Sequence, residues 1–327
     1  MNIKDKLPSW LKQWLKKQIN RPALNREIKY MKREILKFSN TYIHNKKTSL
    51  GHLLVASHVL EKGITMPERR MGFGYERVRN IICSCNSIIT KWGSESVEVQ
   101  AALSDLKQYY EIHRNLNFQL PDDIIDGIEK LIPQLTINDE NCFVSTKADY
   151  LKPYTNFAEF ASSRHSVRWF ADTTVEEEKV LAAIKLAQTA PSACNRQATR
   201  VKLISSTEGK KLCCELQNGN RGFGDKADKW LLITTELGDW SHTDIASAYI
   251  DAGIFTMNLL YALHYYGIAA CTLNAYINLQ DRTKLQEGLG FPASELPVVF
   301  IIIGNPADEF MVPKSRRLNL GDILQTI

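Results

Sequence analysis

The chain lacks the cysteine pattern of a secreted framework. Its seven cysteines are an odd number in a long chain. Cys83 and Cys85 stand one residue apart, and Cys213 and Cys214 are adjacent. Neither spacing is the two-residue gap of a zinc knuckle or a redox pair, and no metal site is expected. The opening residues, MNIKDKLPSW, lack the apolar core of a signal peptide. A reducing, cytoplasmic setting is the expectation. No run of about 20 uncharged apolar residues is present. The nearest, residues 245–268, is interrupted by Asp251, Asn258 and His264. Apolar nearly all round, it predicts a helix buried in a core or a subunit interface rather than a membrane span. No Gly-x-Gly-x-x-Gly stands between a strand and a helix, and the GFG at 72–74 lacks a Gly-Lys-Ser/Thr ending. These absences exclude a separate dinucleotide domain and a phosphate loop. No Ser-His-Asp or Cys-His set stands out, and His242 and His264 receive no role.

What is present is unevenly charged. Residues 1–50 hold 13 Lys+Arg against 3 Asp+Glu, while the chain as a whole holds 41 against 36. The basic character belongs to the N-terminal segment, which suits an acidic partner or an anionic membrane surface; no nucleic-acid partner is expected. Leu7, Trp10, Leu11, Trp14, Leu15 and Ile19 fall at helical spacing, with Lys12, Lys16 and Lys17 on other faces. That is a helix packed on its own protein or a partner, with a membrane-surface helix as the alternative.

Gly63, Pro67, Gly72 and Gly74 break residues 57–82 into a structured loop rich in polar groups, His58, Glu61, Arg69 and Arg70 among them. It reads as a helix connection or as a lid. Residues 94–135 predict two amphipathic helices, the second starting at LPDD (120–123), and 133–155 reads as a linker. A helical domain of unknown role is therefore expected over 1–150 and a second domain over 151–327. In the second, TTVEEEKVLAAIKLAQTA predicts a helix with Thr174 and Glu177 as a capping box. Strands are expected at 199–205, 229–236, 267–274 and 296–304, with the apolar helix at 245–266 among them. Residues 298–303 are apolar throughout, which predicts a central strand covered on both faces. The class is α+β or α/β.

Four segments of this half carry chemistry: SRHSVRWF (163–170), APSACNRQ (190–197), GIAACTLNAY (267–276) and VPKSRR (312–317). Together, in this order, they resemble the FMN-dependent nitroreductase family over about residues 156–327. The resemblance implies an α+β nitroreductase-like fold, a central and mainly antiparallel sheet flanked by helices, dimeric, and preceded here by an α-helical N-terminal region. It implies bound FMN, with NAD(P)H as electron donor and a small-molecule acceptor, in a ping-pong hydride transfer through flavin N5. The cofactor would lie at a homodimer interface.

The resemblance assigns Arg164, His165, Ser166, Lys314 and Arg316 to the phosphate and ribityl chain. A phosphomonoester dianion suits Arg and Lys, and Arg binds it bidentately. Arg168 matches a basic residue at the pyrimidine edge, where a cation supports negative charge developing on reduction; it is electrostatic support, and no residue is expected to be catalytic in itself. Asn195 and Gln197 match amide positions, and Pro191, Ser192 and Ala193 match a turn that contacts the neighbouring subunit's flavin. Asn274 and Ala275 match the position where a backbone amide meets N5. Cys194 reads as a small buried filler. Within the same superfamily, a dehydrogenase, a dehalogenase or a natural-product or polysaccharide tailoring enzyme is an alternative. A flavin-binding scaffold or sensor is the non-enzymatic one.

Overall fold

The computed structural model describes residues 8–38, 44–137, 140–240 and 245–327; Leu7 and His242 lie outside them. The chain opens with helix α1 (Ser9–Phe38), on which Trp10 and Trp14 are exposed. Four further helices follow: α2 (Lys46–Ile64), α3 (Tyr75–Trp92), α4 (Val97–Asn115) and α5 (Asp122–Leu131). Asn45 starts α2 through a reciprocal cap: its side chain accepts from the Thr48 amide and its own amide donates to Thr48 Oγ1. Pro121 precedes α5, with Asp122 and Asp123 in the first turn, where the helix dipole favours negative charge. Leu53, Leu60 and Ile64 of α2, Val78 and Ile81 of α3, Leu103 and Leu106 of α4 and Ile124 of α5 close one apolar core.

The remainder is α+β. Its elements are β1 (Cys142–Thr146), α6 (Lys147–Leu151), α7 (Phe157–Ser163), α8 (Glu177–Ala187), β2 (Thr199–Ile204), α9 (Thr207–Leu216), β3 (Lys229–Glu236), α10 (Ile245–Tyr265), β4 (Ala269–Asn274), α11 (Leu279–Leu289), β5 (Glu295–Gly304), β6 (Glu309–Pro313) and α12 (Leu320–Ile323). Four strands form an antiparallel sheet in the order β2-β3-β5-β4. Strand side chains alternate between faces, so β5 sends Phe300 and Ile302 to one core, with Trp230 and Leu232 of β3. Ile301 and Ile303 go to the other, with Leu231, Ile233, and Leu259 and Leu263 of α10. The central, doubly covered position expected for 298–303 follows from that arrangement.

The polar residues that interrupt α10 each have a task. Asp251 Oδ2 accepts from the Ala193 amide at 2.9 Å. Asn258 Nδ2 donates to the Ala187 carbonyl at the end of α8 at 3.1 Å. His264 Nε2 shares a hydrogen bond with Ser163 Oγ at 2.8 Å. Among the described residues no helix is long and apolar enough to cross a membrane.

Two local expectations fail for a tertiary reason. The stretch 133–155, read as a linker, contains β1 and α6, because β1 pairs antiparallel with β6 from the far end of the chain. Gln108 of α4 clasps this ribbon, donating to the Cys142 carbonyl at 2.7 Å and accepting from its amide at 3.0 Å. The capping box at Thr174 and Glu177 does not form. Asn305 Nδ2 donates to Thr173 Oγ1 at 3.0 Å and to the Thr174 carbonyl at 3.2 Å, Asp228 Oδ2 takes the Val175 amide at 2.8 Å, and α8 starts at Glu177 without a side-chain cap.

Candidate functional site

The 163–170 segment leaves α7 at Ser163 and turns extended at Arg164 (φ −71, ψ 120). It then runs beside β4: the Val167 amide donates to the Ala270 carbonyl at 3.0 Å, and the Ala171 amide to Asn305 at 2.9 Å. Phe170 crosses Gly304 so closely that a Cβ there would stand 2.6 Å from its Cδ1, so glycine is required for this crossing. The pairing drives Val167 and Arg168 inward; Arg168 is only 5% exposed.

Arg168 has unmet hydrogen-bonding capacity. Its Nε and Nη1 are buried without a partner among the described residues. Its guanidinium carbon lies 5.8 Å from the centroid of Phe223, in the loop between α9 and β3. The same ring meets a second cation: Lys62, in the last turn of α2, places Nζ 5.3 Å from it and donates to the Gly219 carbonyl at 2.7 Å. Burial, and then the charge of Arg168, lower the pKa of Lys62.

The other end of the segment meets the β1–β6 ribbon. The His165 ring packs edge-on against Phe143 of β1 at 5.4 Å and bonds to the Pro313 carbonyl. Burial first, then Arg164 and Arg317, lower its pKa. His264, stacked on Phe160 at 5.0 Å, is pushed down to about 4 by burial, with Arg164 and His165 adding to the effect. Arg164 therefore stands beside two imidazoles that are neutral at neutral pH, and Ser166 is half-buried. The structure thus brings segments 163–166 and 312–317 together.

Lys314 donates its amide to the Asn141 carbonyl at 2.9 Å, and Ser315 turns the chain at φ +48. The turn delivers Arg316 to the N-terminal helices, where it lines a cavity of 320 Å³ with Ser57, His58, Glu61 and Ala101. Arg316 faces Asp105 of α4, which is fully buried. Ser57 Oγ donates to Asp105 Oδ2. Asn141 Nδ2 donates to Asp105 Oδ1 at 2.7 Å and to Glu61 Oε1 at 2.8 Å. Burial and the neighbouring Glu61 push the Asp105 carboxyl well above the usual range, against the opposing pull of Ser57, Asn141 and Arg316.

The amide segment lies on another face. Pro191, Ser192 and Gln197 line a 450 Å³ cleft with Leu181, Arg200, Asp251 and Phe255. Cys194, Asn195 and Gln197 all have left-handed backbones, with φ of 53, 54 and 52, which is rare for residues with a Cβ. The Asp251 bond to the Ala193 amide and a bond from the Gln197 amide to Ser192 Oγ at 3.1 Å hold the turn. Gln197 Nε2 donates to Asn195 Oδ1 at 3.1 Å. Cys194 is exposed rather than a buried filler, because the left-handed turn carries it away from the core. Asn274 and Ala275, at the end of β4, line a third cleft of 330 Å³ with Tyr276, Arg282 and Pro297. Asn274 Oδ1 accepts from the Tyr276 amide at 3.0 Å, and its carbonyl accepts from Gln217 Nε2 at 3.1 Å.

Sequence reasoning left Asn220, in the loop that carries Phe223, out of the site and missed Lys62. Asn220 is buried and braces the loop, donating Nδ2 to the Cys214 carbonyl at 3.0 Å and accepting the Gly224 amide at 2.8 Å. The glycine-rich QNGNRGFGDKAD was a visible signal for it. Lys62 had no signal, since it reads as one more lysine on a helix. Among the described residues no group of three or more His, Cys, Asp or Glu is arranged to hold a metal ion.

A family model described as the Nitroreductase family matches residues 161–213, a stretch that holds the Arg168 segment from Ala161 on, α8 and the 190–197 turn. Similar solved structures include two described as putative. One is an NAD(P)H:FMN oxidoreductase from Staphylococcus epidermidis ATCC 12228, with a TM-score of 0.48 at 20% identity over 54% of this chain and 99% of its own. The other is a nitroreductase in complex with FMN from Exiguobacterium sibiricum 255-15, with a TM-score of 0.47 at 18% identity over 56% and 100%. A nitroreductase family protein from Clostridium difficile 630 aligns with a TM-score of 0.44 at 24% identity over 52% and 98%. No curated protein matches the chain.

Proposed function

We propose that this chain is an FMN-dependent oxidoreductase, nitroreductase-like in fold, that takes electrons from NAD(P)H and reduces an organic acceptor as a homodimer. The observation that carries the reading is Arg168: a residue only 5% exposed, with Nε and Nη1 unpartnered among the described residues, inside the segment that the family model matches. Leaving buried donors unpaired costs about 1–3 kcal/mol each. A ligand with acceptor atoms removes that cost, and the acceptor-rich edge of a flavin has that character.

The residues present fit FMN. Arg164, His165 and Ser166, with Lys314 from the turn that His165 touches, would hold the phosphate and ribityl chain. Arg168 would hold the ring edge. Bound there, FMN supplies two-electron chemistry between a nicotinamide and an acceptor. The chain supplies oriented charge: the donors of Arg168 are already desolvated and placed by the β4 pairing, so they need no rearrangement as negative charge develops. Neutral His165 leaves the positive charge beside the phosphate to Arg164 and Lys314.

The homodimer rests on the 190–197 turn. Its cleft is lined by none of Arg164, His165, Ser166 and Arg168, which suits a site completed by the turn of a second copy. Ile250, Ile254 and Met257 form an exposed apolar stripe on α10 at helical spacing, which suits such an interface. Specialised chemistry within the superfamily is the second reading, favoured by the insertion of N-terminal residues beside Arg168.

The purified chain should take up FMN, and its flavin absorption should bleach anaerobically on adding NADPH or NADH. A chain that binds no FMN overturns the reading.

A further inference from the structure

The two cations over Phe223 need an explanation beyond packing. Lys229 and Lys202, other lysines with limited exposure, each have a carboxylate: Lys229 bonds Asp228 Oδ2 at 2.6 Å, and Lys202 bonds Glu295 Oε1 at 2.8 Å. Among the described residues Lys62 bonds the Gly219 carbonyl and no carboxylate, and its strongest charged neighbour is another cation. Neither Lys62 nor Arg168 forms an ion pair with a carboxylate among the described residues. Placing like charges together away from water is unfavourable. A neutral donor would serve Gly219 equally well, so the loop does not require a charge there.

The placement is also built rather than incidental. Lys62 occupies the last turn of α2, and the next residues pack on the same loop: a Cβ at Gly222, which has φ +86, would collide with Met66 Cε. Asn220 fixes the loop from inside. Helix, loop and the β4-paired segment therefore converge on one point with two positive charges.

We propose that Lys62 and Arg168 form a single two-cation site whose ligand is the anionic edge of reduced flavin, so that the N-terminal helices are part of the redox site. The inference rests on the flavin reading above. It assigns Lys62 a role in tuning the cofactor: a second positive charge binds the reduced, negatively charged flavin better than the neutral oxidised ring. That difference in affinity is a rise in midpoint potential.

The test compares wild type, K62Q and K62R by FMN titration and by equilibrating the bound flavin against redox dyes, with thermal melting as the check of folding. Gln can still donate to Gly219 and lacks the charge. K62Q should bind oxidised FMN much as wild type does, while its preference for reduced over oxidised flavin falls roughly tenfold, which is about 30 mV in a two-electron midpoint. K62R should restore the preference. An unchanged midpoint in K62Q would overturn the proposal, leaving Lys62 a loop brace and the flavin reading intact. A shift in K62R as large as in K62Q would also overturn it, since the charge would then not be the cause. If K62Q does not fold, K62M takes its place as the uncharged variant, and an unchanged midpoint there overturns the proposal. A wild-type chain that binds no FMN fails both readings at once, which separates that outcome from the others.

Discussion

Glu61 and Lys62 are consecutive residues of α2, yet they enter two opposite kinds of buried charge. Helical neighbours project about 100° apart. Glu61 joins Asp105, Ser57, Asn141 and Arg316, where hydrogen bonds and an opposing charge answer the carboxylates from within the chain. Lys62 joins Arg168, where Nε and Nη1 of the guanidinium go unanswered among the described residues. The first cluster ties the helical region to the C-terminal turn, and its carboxylates are answered from within the chain, although Asn141 Oδ1 is buried without a partner among the described residues. The second is incomplete in the chain alone. Internal satisfaction marks buried charge that serves the fold, and its absence marks buried charge kept for something that binds.

The largest effect should come from breaking the satisfied cluster. D105A removes the acceptor of Ser57 and Asn141 and the counter-charge of Arg316, and should cost about 3–5 kcal/mol in urea unfolding. Next is His264, at the Arg164 end of the site. Its folded pKa of about 4 lies below the ordinary 6.5, so the folded state binds fewer protons. Its contribution is complete above pH 6.5 and is lost as pH falls toward 4, by about 2–3 kcal/mol. H264Q should flatten that limb of a melting-temperature profile. R168M then sharpens the contrast: FMN affinity should fall at least about tenfold, roughly 1.4 kcal/mol, while stability holds or rises because an unpaired buried cation is gone. A loss of stability in R168M comparable to D105A would erase the distinction between the clusters. The smallest effect is D105N, whose amide can serve Asn141 and Ser57. The raised Asp105 carboxyl makes the wild type less stable as pH climbs above 3.8 toward its folded value. D105N should lack that decline, read as a narrowing gap between the two melting profiles as pH rises.

Periodicity made much of the architecture legible. Strands expected at 199–205 and 229–236 stand at Thr199–Ile204 and Lys229–Glu236, because alternation and unbroken apolar runs are local signals. The helix expected at 245–266 is Ile245–Tyr265. Strand β1 escaped because its partner, β6, lies at the opposite end of the chain. The Thr174 cap failed because Asn305 and Asp228 bind that backbone first. The crowding of charge in the RHSVR motif singled out Arg168, which the fold buries. Arg316, expected at the phosphate, faces Asp105, a neighbour that no spacing in the sequence reveals.

The sequence by itself determined where helices and strands form, which strand lies in the centre and which basic segment concentrates charge, because each follows from side-chain chemistry repeated over a few neighbouring positions. Only the tertiary structure decided which charges are satisfied. Desolvation and pairing depend on what arrives from elsewhere in the chain, and it is the arrival of α2 that sets Glu61 against the Asn141 amide and Lys62 beside Arg168.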